Sequence, residues 1–307
     1  MKGASYSGVV SAPVVPMLEG GAIDWDCLGE YSTWLVGQRP VGIAVNMDAG
    51  EGHSLSRDER RAILQTYVAS ANSSCKVIAG IIASTTAEAV DLGLEAKSIG
   101  ADAMVLFPPL PLFLGDPLPH ELPLRFHQDV ADRVGLPLIV FLFPAEVGPA
   151  YGDALIASLA RITEVVAAKE ATFSTARFLE IKEVMCGLND PPAVLTGADN
   201  MLFEQMLLGA DGALIGFASI LTDELVKMHA AVGRGDLAAA QRDWNRIGPL
   251  ARYAWRPPMR DYRPRMKELL VAQGLFRSSA VRAPLLRVSE LERKRLRELA
   301  VQAGVPL

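Results

Sequence analysis

The stretch Ile99-Gly100-Ala101-Asp102-Ala103-Met104-Val105-Leu106-Phe107 runs a helix stop straight into an apolar strand. Upstream of it, Leu94, Ala96 and Ile99 recur at helical spacing, and Gly100 supplies the stop. The same Gly-Ala-Asp device returns at Leu208-Gly209-Ala210-Asp211, ahead of an apolar run at 213–216, and Val134-Gly135-Leu136-Pro137 precedes another at 137–142. Working outward, the pattern predicts strands near 9–15, 41–46, 76–82, 103–107, 137–142, 165–169, 193–197 and 213–216. Helices are predicted between them near 24–36, 57–70, 86–99, 120–134, 151–162, 175–185 and 201–208. Eight apolar strands alternating with helices predict an α/β fold, a closed (β/α)8 TIM barrel. An open doubly wound sheet is the rival, but no Gly-x-Gly-x-x-Gly follows the first strand. Beyond Gly216 the pattern turns helical, near 221–232, 237–253, 260–273 and 290–303. The expected organisation is a barrel over 1–220 that carries the active site, with a C-terminal helical region over 221–307 packed on it.

The bulk composition narrows the function classes. The chain has 307 residues, 50% of them hydrophobic and 21% charged, with a formal net charge of -5. That balance is typical of a globular protein with an extensive core. It argues against nucleic acid as the main partner, because the basic residues are scattered. No apolar stretch approaches the length of a membrane span. Ser11, Pro13 and Pro16 interrupt the apolar pairs near the N-terminus, so no secretory apolar segment is expected. Cys27, Cys75 and Cys186 are few and widely separated, which predicts reduced thiols in a cytoplasmic protein. No cluster of His, Asp or Glu has zinc spacing, so no metal requirement is expected.

One residue breaks the strand pattern. In Glu164-Val165-Val166-Ala167-Ala168-Lys169-Glu170 an apolar strand ends in an amine. An ammonium beside apolar walls loses hydration, so its pKa falls and the nucleophilic neutral amine becomes accessible. Such a lysine condenses with a carbonyl carbon to form a Schiff base. The alternative is a strand-end lysine that reaches solvent and pairs with Glu170. The barrel context favours the first reading, since chemistry in such folds sits at the C-terminal strand ends.

The order of several segments resembles the dihydrodipicolinate synthase / N-acetylneuraminate lyase family of class I aldolases over nearly the whole chain. Ser7-Gly8-Val9-Val10 through Val14-Val15-Pro16 matches its first strand, and Ala22-Ile23-Asp24 the start of its first helix. Ala49-Gly50-Glu51-Gly52-His53-Ser54-Leu55-Ser56 matches its Thr-Gly-Glu loop. Val77-Ile78-Ala79-Gly80, Ile99-Gly100-Ala101-Asp102, Ala168-Lys169-Glu170-Ala171 and Pro284-Leu285-Leu286 follow in family order. The resemblance implies that Lys169 is the Schiff-base lysine, that the substrate is pyruvate or another small 2-oxo acid, and that no cofactor takes part beyond the covalent imine. It also implies a homo-oligomer, dimer or tetramer. Ala49, Gly50, Phe141, Glu146, Gly197 and Gly216 are expected to line the substrate site.

Departures from the family pattern bear on mechanism. Where the family has Tyr-Asn-x-Pro at the end of strand five, this chain has Phe141-Leu142-Phe143-Pro144, so the proton-relaying phenol is absent there. Glu146 replaces an arginine that in the synthases binds the second substrate's carboxylate, which argues against a true dihydrodipicolinate synthase. The paired hydroxyls before Gly-Glu become Asp48 and Ala49, and the tyrosine-rich segment after strand four becomes Pro108-Pro109-Leu110-Pro111. Asp48 is therefore the candidate second catalytic residue, shuttling protons beside Lys169, or else it caps the Ala49-Gly50 turn. Glu146 and His53 are further candidates on the same rim, with surface charge and an exposed loop residue as their respective alternatives. Glu51 is expected to hold its loop through backbone hydrogen bonds. Asp199 and Asn200 either line the pocket or cap a helix. Arg260, Arg263, Arg265 and Lys267 read as a solvated face or subunit contact. A pocket around Phe107, Leu110, Phe141 and Phe143 implies a substrate with a less polar body. The expectation is a Schiff-base-forming lyase, aldolase or dehydratase. The alternative is a family member that binds a 2-oxo acid with little or no turnover.

Overall fold

The computed structural model of the chain describes residues 3–114, 118–144 and 146–307. Eight parallel strands close into a barrel: β1 (Val9–Ser11), β2 (Gly42–Val45), β3 (Lys76–Ile81), β4 (Ala103–Leu106), β5 (Leu138–Leu142), β6 (Val165–Glu170), β7 (Ala193–Thr196) and β8 (Gly212–Ile215). Each pairs with the next, and β1 pairs with β8, so no strand edge is left open. The strands alternate with α1 (Trp25–Gly37), α2 (Arg57–Ser70), α3 (Thr86–Ile99), α4 (Glu121–Val134), α5 (Asp153–Ala160), α6 (Thr175–Cys186), α7 (Leu202–Leu207) and α8 (Thr222–Gly233). Nearly every strand residue is buried, because helices cover one face and packed side chains fill the other. That is why these strands read as continuous apolar runs.

The repeated Gly-Ala-Asp device has a structural reason for each residue. Gly100 and Gly209 sit at φ 109° and 92°, in the left-handed region that ends a helix without a Cβ clash. The aspartate that follows then clips the incoming strand to the one before it. Asp102 Oδ2 accepts from the Val77 N–H at 2.8 Å while its own N–H donates to Val77 O at 2.8 Å. Asp211 does the same to Val194, at 2.8 and 2.9 Å. Each clip fixes the register of β4 on β3, or of β8 on β7, before the strand begins.

Three further helices follow: α9 (Leu237–Ala254), α10 (Tyr262–Ala272) and α11 (Glu290–Gln302). The basic residues of α10 do not form the expected solvated face. Arg265 and Lys267 are fully buried, and Arg263 is nearly so. Arg263 and Lys267 stand four residues apart and so share one side of the helix, where they meet Asp48 and Glu51 of the loop after β2. Arg265 reaches Glu292 of α11 at 2.7 Å and donates to the carbonyls of Ala254 and Arg256. Only Arg260 of the four is mainly exposed. Buried cations on a helix demand buried acceptors, and the loop after β2 supplies them.

Candidate active site

Lys169 sits on β6 in register with Phe141 of β5 and Leu195 of β7. Its side chain is 9% exposed and enters a cavity of about 120 Å³ at the C-terminal end of the barrel. The cavity is lined by Asp48 and Ala49 after β2, Phe141 of β5, Gly197 and Asp199 after β7, and Gly216 after β8. Lys169 Nζ lies 4.3 Å from the centre of the Phe141 ring. Among the described residues no carboxylate lies within ion-pair distance of it. Burial pushes its pKa down, opposed by the charges of Asp199 and Asp48.

The alternative pairing with Glu170 is overturned. Successive side chains on a strand face opposite ways, and Glu170 points out of the barrel, where its Oε1 accepts from the Thr172 N–H at 2.7 Å and its Oε2 from Gln205 Nε2 at 3.3 Å. Asp199 is buried and accepts from the Phe217 N–H at 2.6 Å, and burial pushes its pKa up. It does not cap α7, whose N-cap is Met201. Asn200 is not among the cavity-lining residues.

Asp48 presents Oδ1 to Arg263 Nη2 at 2.5 Å and accepts from the Tyr262 hydroxyl on Oδ2 at 3.0 Å. Its carbonyl oxygen accepts from Arg263 Nε at 2.8 Å. Glu51 is held by the Lys267 ammonium, with the Arg282 N–H at 3.5 Å, rather than chiefly by backbone bonds. Gly50 lies behind Ala49, where a Cβ would stand 3.0 Å from Pro13 O. Among the described residues neither the Ala49 nor the Gly50 N–H donates to a protein acceptor, although both residues are buried.

Two candidates lie elsewhere. Glu146 is exposed and lines a neighbouring cavity with Tyr151, Thr172 and Arg177. His53 is an exposed rim residue whose ring packs edge-on against Phe107 at 5.7 Å. Conversely, the cavity includes Phe173, Trp255, Met259 and Tyr262, which the sequence did not single out. Trp255 and Tyr262 stack at 4.9 Å and 13°, and Trp255 leaves no space for a side chain at Gly216, where a Cβ would meet it at 2.9 Å. Gly197 is equally confined: a Cβ there would lie 2.8 Å from Ala171 Cβ and 3.1 Å from Lys169 Cε. Gly197→Ala is therefore expected to displace Lys169 and slow turnover by about 10²-fold while the barrel still folds. Steady-state kinetics beside a melting curve check this.

The family model described as the dihydrodipicolinate synthetase family matches residues 5–303. The chain belongs to this family. A 4-hydroxy-tetrahydrodipicolinate synthase of Nitratidesulfovibrio vulgaris (strain DP4) is 29% identical over 98% of this chain and 99% of its own length. One from Acidiphilium cryptum (strain JF-5) is 31% identical over 80% and 82%. The crystal structure of the chloride-inhibited dihydrodipicolinate synthase from Acinetobacter baumannii, complexed with pyruvate, superposes with a TM-score of 0.85 at 29% identity, covering 97% of this chain and 99% of that one. Members of the dihydrodipicolinate synthetase family are class I aldolase-type lyases that act on pyruvate, and the family model covers this chain from residue 5 to residue 303. Among the described residues no group of three or more His, Cys, Asp or Glu could hold a metal ion. No helix among them is long and apolar enough to cross a membrane.

Proposed function

We propose that the chain is a Schiff-base-forming lyase, an aldolase or dehydratase, that ties pyruvate or another small 2-oxo acid to Lys169 without a cofactor or metal. The observation that carries this reading is a buried amine, unpaired among the described residues, facing a cavity at the C-terminal barrel mouth. The neutral amine adds to the keto carbon, and loss of water leaves an iminium ion. That cation is an electron sink, so a bond beside the former carbonyl can break or form. The open N–H groups of Ala49 and Gly50 suit a carboxylate, in place of the missing hydroxyls. Phe107 and Leu110 are not among the lining residues, but Phe143, Val147, Phe173, Trp255 and Met259 add apolar wall and favour a substrate with an apolar body.

A true dihydrodipicolinate synthase activity is not part of this proposal, because Glu146 offers no cation for a second carboxylate and lines the neighbouring cavity instead. The free thiols Cys27, Cys75 and Cys186 support a reducing, cytoplasmic setting. Assembly as a homo-oligomer is proposed from the family resemblance, and light scattering would measure it.

Borohydride reduction with a panel of 2-oxo acids tests the reading. The expected result is a mass increase on Lys169 with at least one of them, and none with any member removes the proposal. The pH profile has a defined sign. Burial lowers the folded-state pKa, so the amine is neutral at a lower pH than an exposed lysine near ~10.4. The rate of imine formation is expected to rise with pH and level off well before that value, as rapid-quench trapping would show. The second reading, a member that binds without turnover, rests on Phe141 in place of the phenol. Deuterium exchange at the pyruvate methyl group in heavy water bears on the two: exchange no faster than in protein-free pyruvate favours binding without turnover, and acceleration shows that the imine reaches the enamine that the lyase reaction needs.

A further inference from the structure

Imine formation needs a group that takes a proton from the lysine ammonium and later returns one to the departing hydroxyl. The cavity limits the choice. Besides Lys169, the described residues lining it carry only three titratable side chains: Asp48, Asp199 and Tyr262. Tyr262 brings the sole hydroxyl. Asp199 accepts the Phe217 N–H on Oδ1, and among the described residues no hydroxyl is bonded to it, so it has no partner with which to pass a proton on. Asp48 and Tyr262 are bonded to each other, and Arg263 holds the second oxygen of Asp48, so Oδ2 stays turned to the phenol. The Tyr262 ring is fixed by its stack on Trp255 and by the Arg263 guanidinium, 4.7 Å from its centre.

We propose that Tyr262 and Asp48 form a two-step proton relay for Lys169, with α10 supplying the hydroxyl that β5 lacks at Phe141. This rests on the imine reading above. In the forward direction the Lys169 ammonium gives a proton, across the cavity that both line and through one intervening water, to Tyr262 Oη while Tyr262 passes its own to Asp48 Oδ2. The neutral amine adds to the keto carbon, and the carbonyl oxygen takes one of the two protons left on nitrogen, giving a carbinolamine. The relay then reverses. Asp48 returns its proton to Tyr262, and Tyr262 delivers one to the carbinolamine hydroxyl. The C–O bond breaks, the nitrogen lone pair forms the C=N bond, and water leaves. Protons and charge balance, and no oxidant or reductant enters. Burial and the charge of Asp48 hold the phenol well above its usual range, so it rests as a neutral donor.

The test uses the full chain, pyruvate and rapid quenching in borohydride. Tyr262→Phe keeps the ring on Trp255 and removes only the hydroxyl. Its rate of imine formation is expected to fall about 10²-fold. The fraction of enzyme present as imine at equilibrium is expected to stay unchanged, because a relay speeds both directions. Asp48→Asn is expected to show the same loss, and the double variant little more, since the pair acts as one unit. A Tyr262→Phe rate within about threefold of the native rate overturns the relay, as that factor is far below what acid–base catalysis supplies. So does a fall in rate and equilibrium imine together, which marks a structural role. Should Tyr262→Phe not fold, a solvent isotope effect on the native rate of imine formation supports the relay, and its absence overturns it. No trapping in the native chain with any member of the 2-oxo acid panel removes the Lys169 imine and the relay together, whereas equal trapping rates in all variants remove the relay alone.

Discussion

Lys169→Met is expected to abolish turnover, by at least about 10⁴-fold, while leaving the barrel folded. Methionine fills a similar volume against the Phe141 ring but has no nucleophile. Lys169→Arg is expected to be equally inactive, because a guanidinium stays protonated throughout the accessible pH range. No other described amine lines the cavity, so nothing can stand in for it. Turnover assays beside circular-dichroism melting separate lost chemistry from lost structure. A Lys169→Met variant that keeps a tenth of native activity would contradict the covalent role, since about 1.4 kcal/mol is too little for a lost nucleophile.

Lys267→Met is expected to give the largest loss of stability. Lys267 and Glu51 are both buried and in contact, and the ammonium also donates to Ala280 O at 3.0 Å. Burial drives the lysine's pKa down, and the carboxylate beside it pulls it back. Removing the cation leaves the Glu51 carboxylate, among the described residues, with the Arg282 N–H at 3.5 Å as its remaining hydrogen-bond donor and the Arg263 and Arg282 charges farther off. Breaking a buried pair in this way costs about 3–5 kcal/mol, or a fall in Tm on the order of 10 °C for a chain of this size. Adding Glu51→Gln to Lys267→Met removes the stranded charge and is expected to recover much of the loss. Thermal melts of the three variants check this. The same pair ties the loop bearing Asp48 and Ala49 to α10, so the single variant is expected to lose activity at temperatures where it is still folded.

The fold was legible because its signals are local. Gly100 and Gly209 mark helix ends, and the apolar runs around them are strands covered on both faces. Lys169 stood out for the same reason, as one charge in a run of Val and Ala. The rest of the site was not legible in this way. Tyr262 and Asp48 are 214 positions apart, and no periodicity in α10 announces that its buried cations face a loop near residue 50. A cluster of four basic residues normally faces water, and only the carboxylates of Asp48, Glu51 and Glu292 reverse that expectation here. Glu146 shows the opposite error. Its place beside Pro144 suggested the rim of the cavity, yet Phe143 lies between and the glutamate lines the neighbouring one.

The most direct measurement is a crystal structure of the native chain soaked with pyruvate. The account predicts continuous electron density from Lys169 Nζ to the keto carbon, with the carboxylate on the Ala49 and Gly50 N–H groups. A free Lys169 ammonium paired with Asp199, with neither pyruvate nor any other 2-oxo acid of the panel covalently linked to it, would contradict it.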